Sequence, residues 1–202
     1  MIVYTICCTT RSGSTFLARL LESAGLGRPA EYLNPDPTTG RPYWGPRIGV
    51  SEDASFREYL TELQVQRSQN GIFGVKTVTR ALHKQMLENC DVRSVLIRRQ
   101  DTLRQAISMY RAKYSGTYHT PNDKHRSVPF NREAILSCRE KINAANDRWL
   151  KYLTELDRPP HFVWYEDLVR MPLAFICEIR DFLGAEIPID NVSSDTVIMR
   201  ED

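Results

Sequence analysis

Hydrophobic positions along the chain alternate between short continuous runs and stripes spaced by three and four. The first run, Met1–Cys8, is apolar and partly β-branched and reads as a buried strand. It ends in Thr9-Thr-Arg-Ser-Gly-Ser-Thr15. Phe16, Leu17, Leu20, Leu21 and Ala24 then share one helical stripe, with Gly25 where a left-handed closing residue belongs. From Pro35 to Gly49 seven of fifteen residues are Pro or Gly, which predicts a long irregular excursion over the surface.

The pattern resumes at Ser51, with Phe56, Tyr59, Leu60 and Leu63 supporting a helix, and Gly71–Thr77 reads as a second buried strand. A short helix follows at Ala81–Glu88. Val92–Ile97 is a third strand, and Asp101 is placed to cap a helix running to Tyr114. Ser115–Pro129 is polar and carries no apolar period, so it reads as a loop. In Asn131–Leu156 the residues Ile135, Cys138, Ile142, Ala145, Trp149, Tyr152 and Leu156 form the clearest core stripe of the chain. Pro159 and Pro160 break it, His161–Tyr165 is a fourth strand, and Pro172–Leu183 is a last helix closed by Gly184. Strands separated by helices predict an α/β fold, a mainly parallel central sheet flanked by helices, as a single domain over residues 1–202.

Composition narrows the class. With 202 residues and 42% apolar content the chain can fill one core, while 27 basic against 25 acidic residues leave a net charge of only +2. No field favours a polyanion, so no nucleic-acid partner is expected. No apolar stretch approaches the length of a transmembrane segment and no basic leader precedes Met1–Cys8, which predicts a soluble, unsecreted, cytoplasmic protein. The five cysteines include adjacent Cys7 and Cys8 but no metal-type spacing, so reduced, mostly buried thiols and no metal are expected.

Candidate chemistry begins at the first turn. Between a buried strand and a helix, the backbone N–H groups and hydroxyls of residues 9–15 converge on the positive end of the helix dipole, which makes an anion site. Against the nucleotide-binding pattern G-x-x-x-x-G-K-[ST], Cys8 replaces the first Gly and Ser14 the Lys. A kinase or NTPase would lack its main cation. Arg11 supplies charge from within the turn, Gly13 permits close backbone approach and Thr15 offers a hydroxyl, which suits a phosphate ligand that needs no magnesium.

Thr10-Arg-Ser-Gly-Ser-Thr-Phe-Leu17 resembles the 5′-phosphosulfate loop of sulfotransferases that use 3′-phosphoadenosine 5′-phosphosulfate (PAPS). Four further strings extend the likeness: Ala30-Glu-Tyr32, Phe73-Gly-Val-Lys76, Arg98-Arg-Gln-Asp101 with Gln105-Ala-Ile-Ser108, and Tyr165-Glu-Asp-Leu168. Together they are similar to the bacterial trehalose 2-sulfotransferase group, from Ile2 to Leu183. The resemblance implies a P-loop-like three-layer sandwich, PAPS as sulfuryl donor and a hydroxyl acceptor on a carbohydrate or glycolipid. It also points to a homodimer.

Residue by residue, the resemblance implies that Arg11 stabilises the departing bisphosphate and that Ser12, Gly13, Ser14 and Thr15 hold the 5′-phosphate. Arg99 with Ser108 is the matching 3′-phosphate clamp, and Arg98 is an equally basic neighbour of Arg99. Glu31, on the loop after the first βα unit, matches the acidic general base. His119 and His125 are alternative bases with a better suited unperturbed pKa, or acceptor contacts. Lys76 ends a buried strand and would steady the sulfonate or the acceptor, unless it reaches solvent as a strand-terminal lysine does. Glu166 and Asp167 precede a helix and complement its dipole. Trp149 and Tyr152 are packing residues.

The sequence departs from the family at its end. Classical members continue into a basic segment covering the donor, whereas here Val197–Asp202 closes the sequence, with Arg200 as its counterpart. A short or truncated C-terminal element is therefore expected. Two other readings stand beside the transferase: a P-loop-type kinase or NTPase, and a catalytically silent nucleotide-binding interaction protein.

Overall fold

The computed structural model describes residues 1–116 and 128–189. Four strands, β1 (Ile2–Cys8), β2 (Ile72–Thr77), β3 (Val92–Arg98) and β4 (His161–Trp164), form one parallel sheet in the order β2-β1-β3-β4. The register pairs Cys7 with Thr77 on one side and with Leu96 on the other, so all three strands end at one edge. After β2 the chain crosses β1 to place β3, which leaves a crevice over the carboxyl end of β1, where open α/β sheets bind ligands.

Alternation along β1 sorts the core into layers. Tyr4, Ile6 and Cys8 face α1 (Ser14–Ser23) and α8 (Pro172–Leu183), burying Leu17, Leu20, Leu21, Ile176, Ile179 and Leu183. Val3 faces the opposite layer with Phe73 and Val75, under α3 (Phe56–Arg67) and α4 (Arg80–Leu87). Cys7 and Leu96 meet Trp149, Tyr152 and Leu153 of α6 (Arg132–Thr154) on that same face. α5 (Thr102–Ser115) leans on α6 through Ala106 against Ile135, Cys138 and Ile142. The expected three-layer α/β sandwich is what the chain forms.

Local chemistry accounts for the element ends. Asp101 accepts a hydrogen bond from the Arg104 N–H at 2.8 Å, and Asn131 accepts one from Ala134 at 2.9 Å, so both helices start at side-chain caps. Gly25 and Gly184 close α1 and α8 with positive φ, at 76° and 59°. All five cysteines are free thiols, and Cys7, Cys8 and Cys138 are buried.

Four local readings need correction. The helix expected from Ser51 starts at Phe56, because Ser55 and Glu58 form a reciprocal capping box there. Within the excursion, α2 (Arg41–Trp44) and a 3₁₀ turn (Pro46–Ile48) are regular structure, since Pro42 and Pro46 occupy helix-starting positions. That segment packs inward: Ile48 is buried, the Tyr32 and Trp44 rings lie 5.0 Å apart, and the Arg67 guanidinium sits 4.6 Å from the Trp44 ring. Tyr165 opens a further helix, α7 (Tyr165–Arg170), instead of ending β4. On α6 the deep position next to Trp149 belongs to Asn146, with Ala145 only half-buried.

Candidate functional site

The loop after β1 owes its shape to two residues with left-handed backbone, Arg11 at φ 63° and Gly13 at φ 92°. Gly13 precedes α1 without any side-chain cap, and no acid stands in the first turn, so the first N–H groups of α1 look onto the crevice uncompensated. A Cβ on Gly13 would lie 2.1 Å from the Tyr165 ring, so that ring packs against the loop and leaves room only for glycine. The Ser12 hydroxyl is buried and has no partner among the described residues. A cradle of free N–H groups with an unsatisfied hydroxyl fits a phosphate-sized oxyanion.

Lys76 places an ammonium group beside the loop, which has Ser14 where a nucleotide-binding turn has lysine. It is the next-to-last residue of β2, is only 8% exposed, and its Nζ lies 3.1 Å from Thr15 Oγ1 and 3.1 Å from Glu31 Oε1. Glu31 is positioned through the backbone, since Lys76 N–H donates to the Ala30 carbonyl at 2.9 Å and Ala30 bridges Val75. The other oxygen, Oε2, accepts from Asn34 Nδ2 at 2.8 Å. The structure thus brings Thr15, Glu31 and Lys76 into one polar cluster. Beside it, burial pushes the Cys8 thiol up to about 11, with Lys76 and Ser14 acting against the rise, so this thiol stays protonated near neutrality.

The crevice wall toward β3 is built differently. Arg11 Nε donates to Ser108 Oγ at 2.8 Å, joining the loop to α5. Arg98 turns to the outer edge, 5.2 Å from the Trp164 ring, whereas Arg99 lies 4.6 Å over the Tyr165 ring that covers Gly13. Arg99 is therefore the arginine on the loop side, and Ser108 touches Arg11. Glu166 lies 3.7 Å from Arg99 and accepts from the N–H groups of Gln100 and Asp101 at 2.9 and 3.2 Å. It anchors the start of α5, as its acidic place beside a helix suggests. His119, His125 and Arg200 lie outside the described residues.

Of three residues that support the loop, Asn146 escaped the sequence reading, which named Gln105 only within a motif string and Trp149 only for packing. Gln105 is fully buried and donates to Thr9 Oγ1 at 2.9 Å and to the Thr10 carbonyl at 2.8 Å. Asn146 accepts from the Thr9 hydroxyl at 3.2 Å, and Trp149 donates to the Cys8 carbonyl at 3.1 Å. A glutamine on the inner side of α5 and an asparagine within the α6 core stripe were the available signals, because amides at core positions need partners.

The family model of the Stf0 sulphotransferase matches residues 3–199. The chain belongs to that family. The expectation of a sulfotransferase is met at this level. No curated protein matches the sequence. Among solved structures, the sulfotransferase domain of the Synechococcus PCC 7002 olefin synthase is similar at 17% identity and a TM-score of 0.56, covering 97% of this chain and 78% of that one. A mouse sulfotransferase complexed with PAP follows at 13% identity and a TM-score of 0.60, covering 96% and 64%. Retinol dehydratase in complex with androsterone and the inactive cofactor PAP matches at 18% and a TM-score of 0.50, covering 94% and 62%. These likenesses establish the fold, and this sulfotransferase spans less than two thirds of the latter two chains. Among its described residues no helix is long and apolar enough to cross a membrane, and no three His, Cys, Asp or Glu side chains could share a metal ion.

Proposed function

We propose that this sulfotransferase moves the sulfuryl group of PAPS to a hydroxyl of a carbohydrate or glycolipid acceptor. The observation that carries the reading is the Thr15–Lys76–Glu31 cluster, a cation and a carboxylate held 3.1 Å apart beside an open helix N-terminus. In the transfer an oxygen–sulfur bond to the acceptor forms as the sulfur–oxygen bond to the 5′-phosphate breaks. The acceptor proton must leave, and Glu31, a carboxylate at the crevice beside Lys76, receives it.

Charge develops on the departing phosphate and on the sulfonate oxygens. Ser12, Gly13, Ser14 and Thr15 hold the 5′-phosphate through loop N–H and hydroxyl groups, and Arg11 neutralises the leaving oxygen. Lys76 steadies the sulfonate from the side of the base. Arg99 and Ser108 take the 3′-phosphate, Arg99 with its plane fixed by the Tyr165 ring and Ser108 in contact with Arg11. His119 is assigned to the acceptor side. The carbohydrate class rests on the motif likeness to the trehalose 2-sulfotransferases, as does a homodimer; a cytoplasmic location rests on composition. PAP is the donor product, so its binding tests the site without any acceptor. Calorimetric titration should show PAP binding well ahead of magnesium-ATP, and the reverse order would return the kinase reading.

A further inference from the structure

A cleft of about 230 Å³ opens between the β2–α4 turn and α6, lined by Val78, Thr79, Arg80, Ala145, Arg148 and Trp149. Its walls are tied to the site just described. Val78 is two residues past Lys76, about 7 Å along extended chain. On the other wall Trp149 donates to the Cys8 carbonyl at the root of the loop, and Asn146, next to Ala145, accepts from Thr9.

The charge of this cleft has one sign. Arg80 and Arg148 are exposed, and neither makes an ion pair or side-chain hydrogen bond among the described residues. No carboxylate lines the space, and the first turn of α4 contains no acid. Lys84, one turn beyond Arg80, adds a third cation 5.7 Å from the Tyr152 ring. The charge of Arg80 also acts against the rise that burial causes at the Tyr152 phenol. Two guanidiniums facing one cleft without a counter-charge are arranged to take an oxyanion, since each presents a planar fork of donors.

We propose that this cleft binds an anionic group of the acceptor, a phosphate monoester or a carboxylate, so that the enzyme sulfates an already charged sugar. The inference rests on the transferase reading above, with the reacting hydroxyl at Glu31 and the anion held between Arg80 and Arg148. Val78 on one wall stands two residues from Lys76, and Trp149 on the other donates to the Cys8 carbonyl at the root of the oxyanion turn. The trehalose acceptor suggested by the motif likeness is neutral and leaves both arginines without a role.

Calorimetric titrations of glucose 6-phosphate, glucuronate and glucose into the PAP-saturated protein test this. Glucose 6-phosphate or glucuronate should bind at least about tenfold more tightly than glucose, the better of the two naming the anion. The double variant Arg80→Gln, Arg148→Gln should bring that sugar to the level of glucose while PAP affinity stays within about twofold, since charge-assisted bonds are lost only in the cleft. Equal binding of the three sugars, none binding at all, or a preference that survives the double variant would overturn the proposal. Failure of PAP to bind the parent protein would instead remove the donor reading, and the same sugar titrations without PAP would then decide the cleft alone.

Discussion

The two walls of the crevice over β1 are built on different physics. Toward β2, Lys76 and Glu31 are 8% and 15% exposed and meet each other and Thr15 at 3.1 Å. Toward β3, Arg99 and Glu166 are 19% and 24% exposed, stand 3.7 Å apart, and Arg99 is guided by a ring at 4.6 Å. Short polar contacts among buried groups fix geometry, and stacking on an aromatic face fixes a plane while allowing sliding. The β2 wall thus holds its charged pair in a fixed geometry, whereas on the β3 wall Arg99 is guided by stacking beside the 2.8 Å contact of Arg11 with Ser108.

Breaking the β2 wall should give the largest effect. Glu31→Gln keeps the shape and the Asn34 contact but cannot take a proton, so kcat should fall about 100-fold or more, the range of a lost general base. PAP affinity, read by calorimetry, should change little; unchanged kcat would move the base elsewhere.

Acid should loosen the layer beneath that wall. His83 is fully buried between Tyr152 at 2.9 Å and Ser94 at 2.8 Å, and burial pushes its imidazole down to about 4. The folded chain therefore binds fewer protons than the unfolded chain between the ordinary histidine value and that figure. Stability from this source is complete above neutral pH and declines as pH falls through 6.5 toward 4, by roughly 3 kcal/mol in all. Urea midpoints between pH 7 and 4 should show the slope, and His83→Gln should reduce it, leaving the shares of His161, which burial also lowers, and of Glu58 and Asp53, which hydrogen bonds from Ser55 and Ser51 hold low.

The smallest effect belongs to the β3 wall. Arg99→Lys keeps the charge and loses the flat stacking surface, so PAP should bind about tenfold more weakly while kcat at saturating donor is retained. A fall in kcat instead would show that the two walls act as one unit, and a PAP affinity equal to the parent's would take Arg99 out of the donor contacts.

Local elements were legible where local forces decide. The cap at Asp101, the closing glycines at 25 and 184, and the anion-type turn at residues 9–15 depend on neighbours a few residues away. Pro35–Gly49 misled because proline density reads as disorder of the pattern, although Pro42 and Pro46 start helices and Trp44 covers Tyr32. The candidate site was legible as a set of short strings, and family likeness, rather than spacing, singled out Glu31.

By itself the sequence determines the order of strands and helices, the oxyanion turn with its arginine, and the absence of a lysine at Ser14. Tertiary structure alone decided that Lys76, 61 residues from Thr15, brings its ammonium group to that turn. It also chose Arg99 over Arg98 for the loop side, through the Tyr165 ring lying on Gly13, and it enlisted Asn146 at a distance of 137 residues from Thr9. The physical reason is the parallel register, which ends β1, β2 and β3 at one edge. Side chains far apart in the chain are delivered there by strand pairing, and no local preference encodes which of them meet.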